Sequence, residues 1–171
     1  MIKQDYLTNN DCYKQGRKMQ IKGLMLHSVG CGVENPMNFI KSWNKSGVYK
    51  CVHAFIDEHD VYETLPHDYR AWHCGKGEKG SFNDGYMGVE MCEPSSIIYV
   101  SGSSFVDKDA EHTKTFVKNT YKVAVEYFAH LCSKYCLNPL AKNVIVSHSE
   151  GHRLGFASDH GDVEHLWDYV G

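Results

Sequence analysis

Ile21-Lys22-Gly23-Leu24-Met25-Leu26-His27 is the stretch on which the fold turns. A short apolar run ending in an imidazole reads as a buried strand that aims its last side chain into a cleft. Val144-Ile145-Val146-Ser147-His148 repeats the pattern near the other end of the chain. Tyr86–Cys92 is a third apolar strand, ended by Pro94, with Glu90 set between Val89 and Met91.

Helical signals lie between these runs. Asn35 can cap a helix whose first residue is Pro36, with Met37, Ile40 and Trp43 facing the core and Gly47 closing it. Asp107 or Asp109 can cap a long helix running to about Cys136, with Phe116, Val117, Tyr121, Ala124, Phe128 and Leu131 as its apolar stripe. Tyr49–Ile56 reads as a strand, Asp57–Asp60 as its turn and Val61–Leu65 as the return. Ile97–Val100 suits either an edge strand or an ordered loop. Residues 1–20 read as an entry segment over the surface, and residues 149–165 as a long loop rich in Gly, His and charge. Strands interleaved with helices predict an α/β single domain, a central mixed β-sheet flanked by helices.

The 171 residues suit one domain. A net charge of −3 argues against nucleic acid as a partner, because phosphate binding calls for a basic face. No apolar run approaches the ~20 residues of a membrane span, so no membrane insertion is expected. Met1–Tyr6 lacks the apolar core of a secretory signal, which predicts synthesis in the cytoplasm. The 7 cysteines are an odd number without a C-x-x-C pair, which fits reduced thiols and no structural zinc knuckle.

A catalytic zinc takes three protein ligands and leaves one position open. His27 and His148 are candidate ligands because each ends an apolar run. Six residues soon after His148 could supply the third: His152, Asp159, His160, Asp162, Glu164 and His165. Glu90, a carboxylate within an apolar strand, either faces solvent or serves as a general base. Glu93, next to Pro94, is placed on the opposite face and is the weaker candidate.

Several motifs in order carry a resemblance. They are Lys22–Ser28, Val52–Asp57, Ala71-Trp72-His73-Cys74-Gly75, Gly88–Pro94, Val146–Gly151 and Ala157–His165. Together they resemble the zinc-dependent N-acetylmuramoyl-L-alanine amidases of the Amidase_2 type, which include peptidoglycan recognition proteins. The likeness is greatest to amidase domains of clostridial phage endolysins and autolysins.

The resemblance implies a Zn2+ cofactor held by His27, His148 and Asp162, with Asp159 as the alternative third ligand. It implies Glu90 as the base. Other branches place a tyrosine before the histidine matched by His53, where this chain has Val52. His160 stands where the family often has an oxyanion-stabilising lysine, and an imidazole N–H can do the same work. Trp72, His73 and Tyr86 are weaker candidates for contacts to substrate. The implied partner is bacterial peptidoglycan, glycan strand plus stem peptide, cut between N-acetylmuramic acid and L-alanine by a monomeric catalytic domain after release to the wall. A separate wall-binding domain beyond residue 171 is a further expectation. The competing reading is a non-catalytic peptidoglycan-binding module of the same fold.

Overall fold

In the computed structural model, which describes residues 1–171, the strand that carries His27 lies one strand in from the edge of a mixed sheet. The strands are β1 (Ile2–Gln4), β2 (Gly23–Ser28), β3 (Ala54–Ile56), β4 (Val61–Glu63), β5 (Tyr86–Met91), β6 (Ile97–Ser101), β7 (Ser104–Asp107) and β8 (Ile145–Ser147). Six of them form one sheet in the order β1-β4-β3-β5-β2-β8, while β6 and β7 form a separate hairpin. All neighbours in the large sheet run parallel except the antiparallel pair β3 and β4. The helices are α1 (Asp11–Gln15), α2 (Met37–Trp43), α3 (Ala110–Lys134) and α4 (His148–Leu154), followed by a 3-10 helix over Glu164–Tyr169.

Alternation along the strands divides the core in two. Leu24 and Leu26 of β2, Met87, Val89 and Met91 of β5, and Ala54 and Ile56 of β3 pack against Val117, Ala124, Phe128 and Leu131 of α3. Leu24, Met87 and Leu131 are fully buried, each contributing roughly 1.5–3 kcal/mol of apolar transfer free energy. The residues between them point the other way. Met25 packs with Cys74, Phe82, Val146 and Ala157, and Phe55 with Leu7, Val52 and Ile40 of α2. His27 and Glu90 share this second face.

The α/β class, the mixed sheet and the long helix are as expected from sequence. Asp109, not Asp107, caps α3, accepting from the His112 amide at 3.1 Å, while Asp107 accepts from the Asp109 amide at 3.0 Å. Three expectations need correction. Residues 1–20 are more than a surface covering: β1 pairs with β4, and Leu7 is fully buried. The strand expected over Tyr49–Ile56 is only Ala54–Ile56. The backbone before it is engaged elsewhere, the Lys50 carbonyl by Asn10 Nδ2 at 3.0 Å and the Cys51 amide by the Trp72 carbonyl at 3.2 Å. The loop expected over 149–165 contains α4 and the start of the 3-10 helix. Ser147 and Glu150 form a reciprocal capping box that starts α4, and Gly155, at φ 89°, ends it. No helix is long and apolar enough to cross a membrane.

Candidate active site

The parallel strands β5, β2 and β8 end at one edge of the sheet, where open α/β sheets form their ligand crevices. A cleft of about 960 Å³ lies there, lined by His27, Trp72, His73, Glu90, Tyr99, His148, His160, Asp162 and His165 among others. His27 is on β2 and is 1% exposed. Its register partner on β5 is Glu90. His148 is the first residue of α4, directly after β8, and is also buried. Asp162 comes from the arm that follows α4, and its backbone carbonyl accepts from the Ser149 amide at 2.9 Å.

His27, His148 and Asp162 form the one group of His, Cys, Asp or Glu side chains placed to hold a metal, their ligand atoms all within 4.8 Å of one another. His27 Nδ1 lies 3.0 Å from His148 Nδ1 and 3.2 Å from Asp162 Oδ2, and His148 Nδ1 lies 3.4 Å from Asp162 Oδ1. The opposite nitrogens fix which tautomers are present. His73 Nε2 faces the Tyr86 carbonyl at 3.1 Å and must donate to it, so His73 Nδ1 is an acceptor. His27 Nε2 lies 2.8 Å from that Nδ1 and is therefore the donor, which leaves His27 Nδ1 a lone pair. Ser158 Oγ donates to the Cys74 carbonyl at 3.1 Å and accepts from His148 Nε2 at 3.2 Å, which frees His148 Nδ1 in the same way.

Two imidazole lone pairs and a carboxylate thus converge with no N–H between them. Such a set repels itself unless a cation sits among the three atoms, so the donor set fits a metal ion. Burial pushes the His27 imidazole down, toward the neutral form that a ligand needs. Burial alone would raise the Asp162 carboxyl. Only an N–H or a positive charge turned toward it by the His148 and His27 rings holds Asp162 well below the usual carboxylate range; with both rings presenting lone pairs, that part falls to a bound cation.

Glu90 is the counterpart. Burial first, then the charges of Asp162 and Glu93, push its carboxyl well above the ordinary value, and Lys50 only partly offsets them. Its Oε2 is sealed from solvent without a hydrogen-bond partner.

His160 is exposed beside the metal group, its ring centroid 4.8 Å from that of His148. Asp159 is 88% exposed, faces His152 at 3.6 Å and does not join the group. Glu164 is taken up by Arg153 at 2.7 Å. Trp72 is 43% exposed on the cleft rim, with the Arg70 guanidinium 5.1 Å from its ring centre. His73 lies behind His27, and Gly88 makes room for it: a Cβ on Gly88 would sit 2.4 Å from the His73 ring. Tyr86 reaches the site only through its backbone carbonyl. Its ring packs on Phe82 away from the cleft lining, and its hydroxyl donates to the Asn143 carbonyl at 2.6 Å.

Sequence reasoning singled out neither Ser158 nor Tyr99. The polar loop around Ser158 did hint at a site, but nothing near Tyr99 did. Glu93 was placed on the far face, yet it is fully buried and accepts from Tyr99 Oη at 2.8 Å. Strand alternation stops at Met91, so it did not apply to Glu93.

Residues 17–162 match the Amidase_2 family, described as N-acetylmuramoyl-L-alanine amidase. The chain belongs to this family. It is 28% identical over 97 residues to the N-acetylmuramoyl-L-alanine amidase CwlH of Bacillus subtilis (strain 168), covering 54% of this chain and 38% of CwlH. It is 25% identical over 140 residues to the amidase BlyA of the same organism, covering 79% of this chain and 36% of BlyA. The chain thus matches little more than a third of the length of these curated relatives. A mutant endolysin from Bacillus subtilis superposes with a TM-score of 0.68 over 100% of this chain and 99% of its own, at 15% identity. The resemblance to the amidase family and the expected fold are therefore borne out.

Proposed function

We propose that this chain is a zinc-dependent N-acetylmuramoyl-L-alanine amidase that hydrolyses the amide between N-acetylmuramic acid and L-alanine in bacterial peptidoglycan. One observation carries the reading: His27 Nδ1, His148 Nδ1 and Asp162 converge beside the unpartnered carboxyl of Glu90. Membership of the amidase family supports the choice of substrate. Two imidazoles and one carboxylate form a three-ligand set of the kind that catalytic zinc uses.

In this reading His27, His148 and Asp162 hold the zinc, with His73 and Ser158 fixing the two rings. When bound, zinc lowers the pKa of water to about 7 and polarises a carbonyl. Glu90 takes the proton from the attacking water on its carboxylate and delivers it to the departing L-alanine amine. Its raised proton affinity suits it to carry that proton between the two steps. His160, at the cleft mouth, donates an N–H to the carbonyl oxygen as charge develops there. Trp72 offers an exposed aromatic face on the rim against which a sugar ring can stack.

The test is incubation of the zinc-loaded protein with purified bacterial walls, followed by amino-group assay and mass spectrometry of the fragments. The expected product is a free L-alanine amine and a free lactyl carboxyl on muramic acid. Activity should vanish with chelation and fall by about 10²-fold to 10⁴-fold in Glu90→Gln. Zinc-loaded protein that binds walls without releasing amines, or that cuts within the stem peptide, would overturn the reading.

A further inference from the structure

Glu93, Tyr99 and His165 come from three separate elements and meet as one hydrogen-bonded group along the cleft. Glu93 follows the end of β5 and is 0% exposed, Tyr99 is in the middle of β6, and His165 is in the first turn of the 3-10 helix. Tyr99 Oη lies 2.8 Å from Glu93 Oε2 and 2.6 Å from His165 Nε2. The Gly30 amide donates to Glu93 Oε1 at 3.0 Å, so the carboxyl is also tied to the loop after β2. With Tyr99 donating to Glu93, its oxygen accepts from His165 Nε2–H. One hydroxyl thus bridges the end of a central strand to the helix that follows the metal arm.

That arm is anchored at several points on either side of Asp162: Ser158 bonds to the Cys74 carbonyl, Val163 is fully buried in the main core, and Glu164 bonds to Ser147 and Arg153. The carbonyl of Asp162 accepts from the Ser149 amide at 2.9 Å, which holds one side of it. Gly161 lies so close to the tip of the β6–β7 hairpin that a Cβ there would sit 2.2 Å from Ser103 Oγ. The hairpin therefore touches the arm at Gly161 and again, through Tyr99, at His165. These contacts fall on either side of Asp162 in sequence, and both Tyr99 and His165 line the cleft. A fully buried carboxyl is costly to maintain unless its hydrogen bonds are used. Here they are spent on holding a tyrosine hydroxyl beside the metal arm.

We infer that Tyr99, clamped by Glu93 and His165, is a positioning residue that sets Asp162 against His27 and His148. The inference rests on those three being metal ligands. It extends the site to a part of the fold, the β6–β7 hairpin, that contributes no ligand.

The test is zinc titration of wild-type protein and Tyr99→Phe by chelator competition, with melting temperatures of the metal-free and zinc-loaded forms. Tyr99→Phe should bind zinc 10-fold or more weakly, the range typical of lost outer-shell partners. Its metal-free melting temperature should fall through the lost bonds to Glu93 and His165, and the rise on adding zinc should shrink as well. A merely structural hydroxyl would lower both melting temperatures equally and leave the zinc affinity unchanged. That result would overturn the inference while leaving the metal centre intact. Wild-type protein that binds no zinc would instead overturn the metal centre and this inference together. Should Tyr99→Phe not fold, His165→Phe removes the same bridge while keeping a ring against Phe105, and the same loss of affinity is expected.

Discussion

Replacing His73 with phenylalanine tests the tautomer relay behind the metal group. The ring would keep its volume in the space that Gly88 leaves open, but both nitrogens would go. His27 Nε2–H, now bonded at 2.8 Å to His73 Nδ1, would lose its acceptor at a side chain only 1% exposed. An orphaned buried polar group costs about 1–3 kcal/mol. His27 can recover that loss by moving its proton to Nδ1, the atom the metal needs. The cost then falls on metal binding. Since about 1.4 kcal/mol is a tenfold change, zinc affinity should fall by roughly 10-fold to 100-fold. Competition against a chromogenic chelator reads this directly, with circular dichroism to confirm the fold. His73→Asn, whose side-chain oxygen can accept from His27, should recover part of the affinity. Equal zinc affinity in wild type and His73→Phe would refute the relay.

The remaining predictions concern neighbouring atoms and one distant pair. Gly88→Ala places a methyl 2.4 Å from the His73 ring, so it should cost about 1–3 kcal/mol of stability and also weaken zinc binding, read by thermal melts with and without metal. Glu90→Gln should retain zinc but lose about 10²-fold to 10⁴-fold in amine release from walls. On the surface, His112 Nε2 meets Glu34 Oε1 at 2.6 Å, which raises the His112 pKa. The same contact helps to lower that of Glu34, against the opposing effect of its partial burial. The raised histidine contributes stability below its unfolded value of about 6.5 and loses it as pH rises through the folded value. The lowered carboxyl contributes above about 4.3 and loses its share as pH falls. Glu34→Gln should therefore cost up to about 1 kcal/mol between these limits and less at pH 9, as measured by urea unfolding at pH 5.5 and pH 9.

Local pattern and long-range assembly account for what could and could not be read in advance. His27 and Glu90 were legible because each lies within an apolar strand, and strand period alone puts a polar group there under strain. The register that pairs them follows once β2 and β5 run side by side. His148 was found for a partly mistaken reason. It does not end a strand but begins α4, and the capping pair Ser147 and Glu150, present in the sequence, marks that start. Asp162 could not be separated from five neighbours by composition, since only tertiary packing brings it to 3.2 Å from His27 while leaving Asp159 in solvent. The Glu93, Tyr99 and His165 group was hidden for the same reason, since His165 joins it from 66 residues beyond Tyr99. Tyr86 was mistaken for a cleft residue because its aromatic type suits a sugar, whereas its hydroxyl is committed to Asn143.

The central claim is that His27, His148 and Asp162 hold a metal through the two Nδ1 atoms. Anomalous diffraction from a crystal of zinc-loaded protein, recorded on both sides of the zinc edge, tests it most directly. A single strong peak is expected about 2.0–2.2 Å from His27 Nδ1, His148 Nδ1 and an Asp162 carboxylate oxygen, with its remaining position open to the cleft. A peak bound through Nε2 of either histidine, a peak at Asp159, or no peak among these side chains would contradict it.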